Sequence, residues 1–338
     1  MQEEELPNYH RRGGVRIGPV QIIVILLGAA LVYAGILLGI QALGSRLEGR
    51  TAVETTGSLD GRFDTTGLAA QRGGGYRASE LTNLLLIGVD DAGSALGGTA
   101  DEADFLLLLT MDRKNKAVSA LQLDCDTVAD IRAYDDGGNY AGVRQARLRQ
   151  AYGSGTSAAE GCMNTVWAVS GLLGIIPIVG YIALDLSCIA ALTEALGGVD
   201  ITLEEDYSQI DPALTAGAAL TLRGQQAEHL VRDRESGDDG TNTARMRRQR
   251  AFFRALRAQL KLLDMRTLSA LYDAVRDHVV TNVDRSWLVN RAYECVGYAW
   301  LEVGTPAGSY RTGADGAAEF YVDADALAHM LAANYYYN

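Results

Sequence analysis

The sequence predicts an α/β domain with a central mixed sheet flanked by helices, preceded by one N-terminal transmembrane helix. Short apolar runs next to acidic residues occur three times between residues 81 and 124. Further along, apolar segments alternate between helix-like and strand-like patterns, which is typical of a sheet covered by helices. A run without charged residues, 17–42, comes before all of them. These three observations predict the fold class.

The charge-free run from Ile17 to Ala42 is long enough to cross a bilayer, since about 20 apolar residues do so as a helix. A cleavable signal peptide is the alternative, and Ala42 and Gly44 resemble its cleavage site. Its apolar core would take about 7–15 residues, fewer than this run has. Three arginines precede the run and two follow it. The positive-inside rule therefore predicts a single-pass protein of the cell membrane, with a cytoplasmic N-terminus and an extracytoplasmic domain.

Composition excludes several kinds of site and partner. The 338 residues carry a formal net charge of −12, which together with the outward-facing domain argues against nucleic acid as a partner. The four cysteines are scattered, too few for a disulfide framework. No pair has a zinc-like spacing, and the four histidines make a zinc site unexpected. Residues 43–80 have no sustained periodicity and read as a linker.

Three strands are predicted where the folded part begins, over 81–90, 104–112 and 116–124. Only three polar residues separate the last two runs, which predicts a hairpin. Antiparallel pairing brings Asp104 near Asp124 and Asp126. If the first strand runs parallel to the third, Asp90 reaches the same edge. Acidic residues at strand ends can simply be solvated, but several at one edge suggest a site for a hard cation such as Mg²⁺.

Helices and strands alternate after Ala151. The patterns predict helices over 160–174, 186–198, 223–234 and about 243–263, with strands over 178–185 and 199–203. On the last helix the predicted core face is apolar, formed by Met246, Phe253, Leu256, Leu260 and Leu263. Arg245 and Gln249 lie one turn apart, so both side chains can reach one ligand. The other arginine stripe is expected to face solvent, and consists of Arg247, Arg250 and Arg254.

Six arginines surround the polar loop between the last two of these helices, within residues 231–250. A solvated helix face is the simple explanation. Arginine is also the side chain that grips phosphate oxygens in two places at once. Arg232 and Arg234 on one side and Arg245 on the other could surround a pyrophosphate. In a membrane-anchored domain, a lipid-linked pyrophosphate is the ligand this arrangement suggests.

The order of several motifs resembles the LytR–CpsA–Psr family, in its clostridial-type branch. The motifs are "LLLIGVD", "ADFLLLLTMD", "QAYGSG", "LGGVDITL", "LRGQQAEHLVRDR" and "ARMRRQR". The resemblance covers about 81–262 and continues through "TNV" and "FYVDADAL". It implies a sheet flanked by helices with a hydrophobic tunnel for a polyprenyl chain. It also implies transfer of a glycopolymer from a polyprenyl-pyrophosphate carrier to peptidoglycan, with Mg²⁺ as cofactor.

The resemblance assigns roles by position. Asp90 and Asp104 are the expected Mg²⁺ ligands, and Asp126 is expected to orient a group or accept a proton. The pyrophosphate-binding set is Arg232, Arg234, Arg245, Gln249 and Arg147, with Arg245 also catalytic. The expected organisation is a cytoplasmic tail over 1–16, a transmembrane helix over 17–42, a linker over 43–80, the catalytic and lipid-binding domain over 81–262, and a helical extension over 263–338 that packs on it.

Several positions depart from the family pattern. The PRD motif reads Asp124-Cys125-Asp126, so cysteine replaces its arginine. Glu102 and Asn242 stand where an arginine and an acid are usual. The chain would then be a slow enzyme, an enzyme rescued by Arg147, or a relative that binds the lipid as a scaffold. A lipid pyrophosphatase is a further alternative, and a transcription regulator is the weakest. No histidine close in sequence supports Cys125 as a nucleophile.

Overall fold

The computed structural model describes residues 75–90, 102–233, 240–260, 278–283 and 297–337, with single positions between 275 and 295. The strands are β1 (Leu81–Asp90), β2 (Glu102–Asp112), β3 (Ala117–Leu123), β4 (Val128–Tyr134), β5 (Tyr140–Arg147), β6 (Gly180–Asp185), β7 (Val199–Thr202), β8 (Ala219–Leu222), β9 (Val279–Thr281), β10 (Ala299–Gly304), β11 (Gly308–Thr312) and β12 (Ala318–Val322). The helices are α1 (Gln150–Gly153), α2 (Ala158–Leu172), α3 (Cys188–Leu196), α4 (Gly224–Arg232), α5 (Thr243–Leu260) and α6 (Ala324–Tyr335).

A six-stranded mixed sheet forms the centre, in the order β10-β3-β2-β1-β6-β9. β2 pairs antiparallel with both β1 and β3, while β1 runs parallel to β6 and β3 parallel to β10. The predicted β2–β3 hairpin and the parallel direction of β1 and β3 are confirmed. The carboxyl ends of β1 and β3 therefore lie at one edge of the sheet, together with the start of β2.

Alternating side chains give the sheet two apolar faces, each covered by helices. One face, which includes Leu85, Ile87 and Leu106, belongs to a cluster with buried residues of α1, α2 and α6. The opposite face, which includes Leu86 and Leu107, packs with Phe253 of α5. A separate cluster joins α3, α4 and α5 to the small β7–β8 sheet. The predicted mixed sheet flanked by helices is confirmed.

The buried face of α5 differs from the one predicted. Met246 is buried as expected, but Arg245, Arg248, Gln249 and Phe252 are buried with it. The polar side chains can enter the interior because each has a hydrogen-bond partner there. Among the arginines predicted to face solvent, Arg250 is only partly exposed and donates to Gln122.

The described part after residue 263 contains strands as well as helix, where the sequence predicted a helical extension. β9 and β10 are the two edge strands of the central sheet, and β11 and β12 form an antiparallel hairpin. The helix α6 lies at the end, and a few single positions between 275 and 294 are also helical. Its tyrosine-rich end packs: the Tyr335 hydroxyl lies 3.1 Å from that of Thr110, and Tyr336 forms a bridge with Tyr76.

The start of the described chain belongs to the fold and not to a linker. Arg77 is buried and pairs with Asp112 at 2.8 Å and with Glu80 at 2.6 Å. The rest of the predicted linker, the predicted tail and the predicted membrane span lie outside the described residues. Among the helices that are described, none is both long and apolar enough to cross a bilayer.

Candidate functional site

A β-bulge directs Asp104 into the edge where the carboxylates meet. The register between β1 and β2 shifts at Gly88 and Val89, whose partners are Phe105 and Ala103. Asp104 is the extra residue between these partners. A bulge bends its strand and re-aims a side chain, and bulges are common beside active sites. The Asp104 carboxylate is buried and receives hydrogen bonds from two arginines, Arg149 and Arg245.

Arg149 connects the acidic side chains of this edge. It follows β5 and donates through Nη2 to Asp104 and through Nη1 to Glu102 at 3.2 Å. Its Nε lies 3.0 Å from Asp126 Oδ1. Burial acts to lower the pKa of Arg149, but the neighbouring acidic groups outweigh burial and raise the pKa above its usual value. Arg149 is therefore a permanent cation between three carboxylates.

The start of α5 supplies the second guanidinium. Asn242 precedes the helix, and its Oδ1 accepts from Arg245 Nε at 2.7 Å. Arg245 Nη2 donates to Asp104 at 2.9 Å, and the residue is only 4% exposed. Asn242 thus orients the Arg245 side chain, and the Asp104 carboxylate neutralises its charge. Arg245 lies in the site as predicted from the sequence.

Cys125 lies beneath these donors and is fully buried. Its Sγ is 3.1 Å from Arg149 Nη2, 3.4 Å from Arg245 Nη2 and 3.3 Å from Asn242 Nδ2. Burial raises the pKa of the thiol to about 12, so the neutral thiol predominates at neutral pH. A neutral thiol is a poor nucleophile and a poor metal ligand. Cys125 therefore acts here as a small buried acceptor.

Asp124 holds the C-terminal hairpin against the site. The Tyr310 hydroxyl of β11 donates to Asp124 Oδ2 and accepts from the backbone N–H of Asn242 at 3.0 Å. Asp124 Oδ1 accepts the backbone N–H of Asp126 at 2.9 Å. Burial raises the pKa of Asp124, more than its hydrogen bonds lower it. Asp124 therefore has a structural part in tying three segments together.

The end of α4 approaches the same edge from the other side. Arg232 is partly exposed. It donates through Nη2 to Asp90 and through Nη1 to Glu228 at 2.8 Å. Gln249 of α5 lies between α4 and β2, because its Nε2 donates to Val231 O at 3.1 Å and lies 3.5 Å from Asp104 O. Arg232 and Gln249 are thus brought to the site. Arg234 lies outside the described residues.

A polar cleft of about 530 Å³ opens onto Asp126 and Arg149. Glu102, Arg147 and the loop before α5 line one part of it, and the β11–β12 hairpin forms the opposite wall. Arg147, expected to compensate for Cys125, instead pairs with Asp315 at 2.6 Å. The guanidinium groups that lie beside Cys125 belong to Arg149 and Arg245.

The residues expected to hold Mg²⁺ lie on neighbouring strands. Asp90 ends β1 and Asp104 lies near the start of β2, so both offer carboxylate oxygens at one edge. Oxygen donors of this kind suit Mg²⁺. Another group, Asp124, Cys125 and Asp126, places one ligand atom of each residue within 4.8 Å of the others. Its buried neutral thiol makes that group the poorer fit for a hard cation.

The sequence reasoning missed three contributors to the site. Arg149 was given no role from the sequence, and Tyr310 lies far from the recognised motifs. Asn242 was weighed as the loss of an acid, yet it orients Arg245. The signal for Asn242 was available, since asparagine before a helix that opens with Thr243 is a preferred N-cap residue. The contacts of Arg149 and Tyr310 depend on tertiary structure and left no local pattern.

Comparison with known proteins points to one family. The sequence profile of the LytR_cpsA_psr family matches residues 50–332. A Bacillus cereus protein, polyisoprenyl-teichoic acid–peptidoglycan teichoic acid transferase TagU, is 24% identical over 205 residues, which are 61% of this chain and 61% of that protein. The Enterococcus faecalis protein of the same name is 24% identical over 265 residues, 78% of this chain and 79% of that one.

The fold is also that of a solved structure. The crystal structure of B. subtilis TagV superimposes with a TM-score of 0.58 at 22% sequence identity, and the match covers 75% of this chain and 96% of that one. At this identity the likeness concerns the fold: a mixed sheet with helices on both faces. The expected mixed α/β fold and the family resemblance are both confirmed.

Proposed function

Since the chain belongs to the LytR_cpsA_psr family, we propose that it transfers a glycopolymer from a polyprenyl-pyrophosphate carrier to peptidoglycan. The observation that carries this proposal is the convergence of Arg149, Arg245 and Asp104 at one sheet edge. TagU relatives are named as teichoic acid transferases. Which polymer this chain moves depends on contacts beyond that edge.

The pyrophosphate of the donor would lie between α4 and α5. Arg232 is partly exposed at the end of α4, and Arg245 and Gln249 approach from the next helix. Guanidinium groups bind phosphate oxygens in pairs, which suits this position. Arg234 belongs to the proposed set by sequence. The polyprenyl chain would follow the apolar sheet face that packs with Phe253, because Gln122 of that face contacts Gln249 at 2.8 Å.

The proposed reaction is attack by an acceptor hydroxyl on the sugar-linked phosphorus. A new P–O bond forms to the acceptor oxygen, the bridging P–O bond of the pyrophosphate breaks, and polyprenyl phosphate leaves. The hydroxyl proton passes to Asp126, whose carboxylate lines the cleft. Arg245 and Arg149 stabilise the charge that grows on the phosphoryl oxygens. Charged donors aimed at such oxygens account for most of the acceleration in phosphoryl transfer.

Arg149 favours the enzyme over the scaffold. The family pattern places an arginine where this chain has Cys125, and its loss would remove one phosphate-binding fork. Arg149 Nη2 lies 3.1 Å from Cys125 Sγ, so a guanidinium from another segment occupies the neighbourhood of that position. A guanidinium is therefore available beside Cys125 to contact the phosphoryl oxygens.

Asp90 and Asp104 are the residues that would hold Mg²⁺. Bound there, the ion would supply charge neutralisation to the pyrophosphate oxygens and act as a Lewis acid. The arginines that now contact these carboxylates are the ones proposed to bind phosphate. If Arg232 and Arg245 bound the phosphate of the donor instead, the carboxylate oxygens of Asp90 and Asp104 would become available to Mg²⁺.

The membrane location is part of the same proposal. The charge-free run over 17–42 would anchor the chain, with the N-terminus in the cytoplasm and the domain outside. A lipid-linked donor and peptidoglycan both lie on that side. Thiol labelling of a single cysteine placed at residue 5 or at residue 60, in intact cells, checks the orientation. Labelling of the second position alone is expected, and labelling of the first alone would contradict it.

The function is tested with the full chain in detergent micelles, with Mg²⁺, a polyprenyl-pyrophosphate-linked oligosaccharide and peptidoglycan. The quantity measured is sugar joined covalently to peptidoglycan, for the wild type and Asp126→Asn. Transfer by the wild type and its loss in the variant support the enzyme. Donor binding without transfer would establish the scaffold alternative, and release of the sugar as a soluble phosphate would indicate a pyrophosphatase.

A further inference from the structure

A polar cleft lies next to the reaction centre, and its described lining differs from the proposed donor residues. Two residues, Asp126 and Arg149, are common to the cleft and the reaction centre. The proposed donor residues Arg232, Arg245 and Gln249 are not among the described residues that line it, while Arg147, which does line it, pairs with Asp315. Apart from the loop before α5, the described lining of the cleft comes from segments other than α4 and α5.

We propose that this cleft binds the glycan acceptor and that the β11–β12 hairpin is its outer wall. The inference rests on the proposed transfer reaction. In phosphoryl transfer the attacking and leaving oxygens lie roughly in line on opposite sides of phosphorus. With the leaving polyprenyl phosphate on the side of α4 and α5, the acceptor must enter from the other side. The cleft is an opening that the described residues form next to the reacting groups.

The lining suits a hydroxyl-rich ligand with some negative charge. It includes three arginines and two carboxylates, with threonine and tyrosine hydroxyls between them: Arg147, Arg149, Arg311, Glu102, Asp126, Thr241, Thr312 and Tyr310. Glycine and alanine residues of the hairpin leave room for a sugar ring. The volume of about 530 Å³ lies within the usual range for small-ligand sites, about 300–1,000 Å³. Such a lining does not suit an apolar polyprenyl chain.

The hairpin is fixed to the catalytic segment, so its position is defined before a ligand binds. The Phe320 N–H of β12 donates to the Asp126 carbonyl oxygen at 2.9 Å. Tyr310 of β11 donates to Asp124 and packs edge-on against Phe320. A wall anchored two residues apart on the segment that carries Asp126 can align a bound hydroxyl with that carboxylate.

Arg311 is the side chain of the hairpin best placed to bind the acceptor. It lies exposed in the cleft wall, with its guanidinium stacked 4.5 Å from the ring centroid of Tyr321. None of the described carboxylates forms an ion pair with it, unlike Arg147, which pairs with Asp315. A guanidinium held by stacking keeps its hydrogen-bond donors for a ligand.

The test compares Arg311→Ala with Arg144→Ala, an exposed arginine of β5 outside the cleft lining. The full chain in micelles is given the lipid-linked oligosaccharide and short soluble peptidoglycan glycan strands, and KM is measured for each substrate. We expect Arg311→Ala to raise the acceptor KM about tenfold, the effect of losing one charged contact, with the donor KM within twofold. An unchanged acceptor KM, or a rise in the donor KM alone, would overturn the inference.

A binding measurement distinguishes failure of the cleft proposal from failure of the proposed function. If the wild type transfers nothing, the equilibrium binding of the same glycan strands is measured by calorimetry for the wild type and both variants. Weaker binding by Arg311→Ala alone would still support the cleft as a glycan site. Equal binding by all three, or no binding, would refute it whatever the catalytic activity.

Discussion

Arg149 Nη2 lies 3.1 Å from Cys125 Sγ, although the two residues are carried by different segments of the chain. The same guanidinium contacts Asp104 and lies beside Asp126. The Arg149 guanidinium therefore places a positive charge beside Cys125, which replaces the arginine of the family's PRD motif. This relationship makes the departure at Cys125 compatible with a phosphotransferase.

Replacing Arg149 tests its part in the reaction. Arg149→Gln is expected to lower kcat for transfer about 10²–10³-fold, as the loss of one preorganised donor to a developing oxyanion does. Arg149→Lys keeps the charge without the planar guanidinium, so its kcat should lie between those of the wild type and Arg149→Gln. The measurement is steady-state transfer, with donor binding determined in parallel. A kcat of Arg149→Gln within threefold of the wild type would show that this guanidinium takes no part.

Cys125 is expected to be dispensable for chemistry. It is fully buried and its pKa is raised to about 12, so Cys125→Ala should keep transfer within about tenfold of the wild type. The loss of a weak acceptor for Arg149, Arg245 and Asn242 should cost stability by about 1 kcal/mol. A transfer assay measures the activity of Cys125→Ala, and thermal unfolding measures its stability. A loss of activity beyond 10³-fold in a folded variant would contradict this and favour a covalent role.

The hydroxyl of Tyr310 is expected to stabilise the hairpin. Tyr310→Phe leaves the Asn242 N–H and the Asp124 carboxylate without this partner, which should cost about 1–3 kcal/mol. Thermal unfolding measures the cost. Tyr321→Phe on the neighbouring strand is the matched control, because its hydroxyl donates to Glu319 in an accessible position. Equal melting temperatures for the two variants would mean that Tyr310 does not anchor the hairpin.

The pairing of Arg77 with Asp112 is expected to make the free energy of unfolding depend on pH in the acidic range. Burial alone would raise the pKa of Asp112, but hydrogen bonds from Asn115 and Arg77 lower it below its usual value. A lowered folded pKa gives stability that is present above the unfolded pKa, about 3.9, and is lost as pH falls through the folded value. Arg77→Gln should therefore cost about 1.5–3 kcal/mol near neutral pH, and less below about pH 4.

The measurement for Arg77 is the free energy of unfolding between pH 7 and pH 3. Lys114→Gln is the control, since Lys114 is 59% exposed where it pairs with Glu80, and an exposed pair contributes little. A difference between wild type and Arg77→Gln that stays constant down to pH 3 would show that the Asp112 pair does not carry the effect.

The strands of the central sheet could be predicted where strong apolar runs are bounded by acids. β1 has the predicted limits, Leu81 and Asp90, and the β2–β3 hairpin follows from its short polar turn. The later strands β10, β11 and β12 were missed because they are half-exposed and lack a buried apolar alternation. They are strands because of their partners in the fold, which a local pattern does not encode.

The same distinction applies to the site. Arg245 and Gln249 could be predicted because one helical turn separates them, and helical geometry alone brings them together. The acids Asp104 and Asp126 followed from strand pairing. Arg149 could not be predicted, because its contacts join the end of β5 to residues of β2 and to the segment after β3. Contacts of that kind depend on how the β4–β5 hairpin packs on the sheet.

The most direct measurement follows the sugar-linked phosphorus. The donor is made with ³²P at that position and incubated with the full chain, Mg²⁺ and peptidoglycan, and the label is counted in each product. The account predicts that the label becomes covalently bound to peptidoglycan, and that Asp104→Ala abolishes this. Label that stays with the bound lipid, or that leaves as soluble sugar phosphate, would contradict phosphotransfer to peptidoglycan.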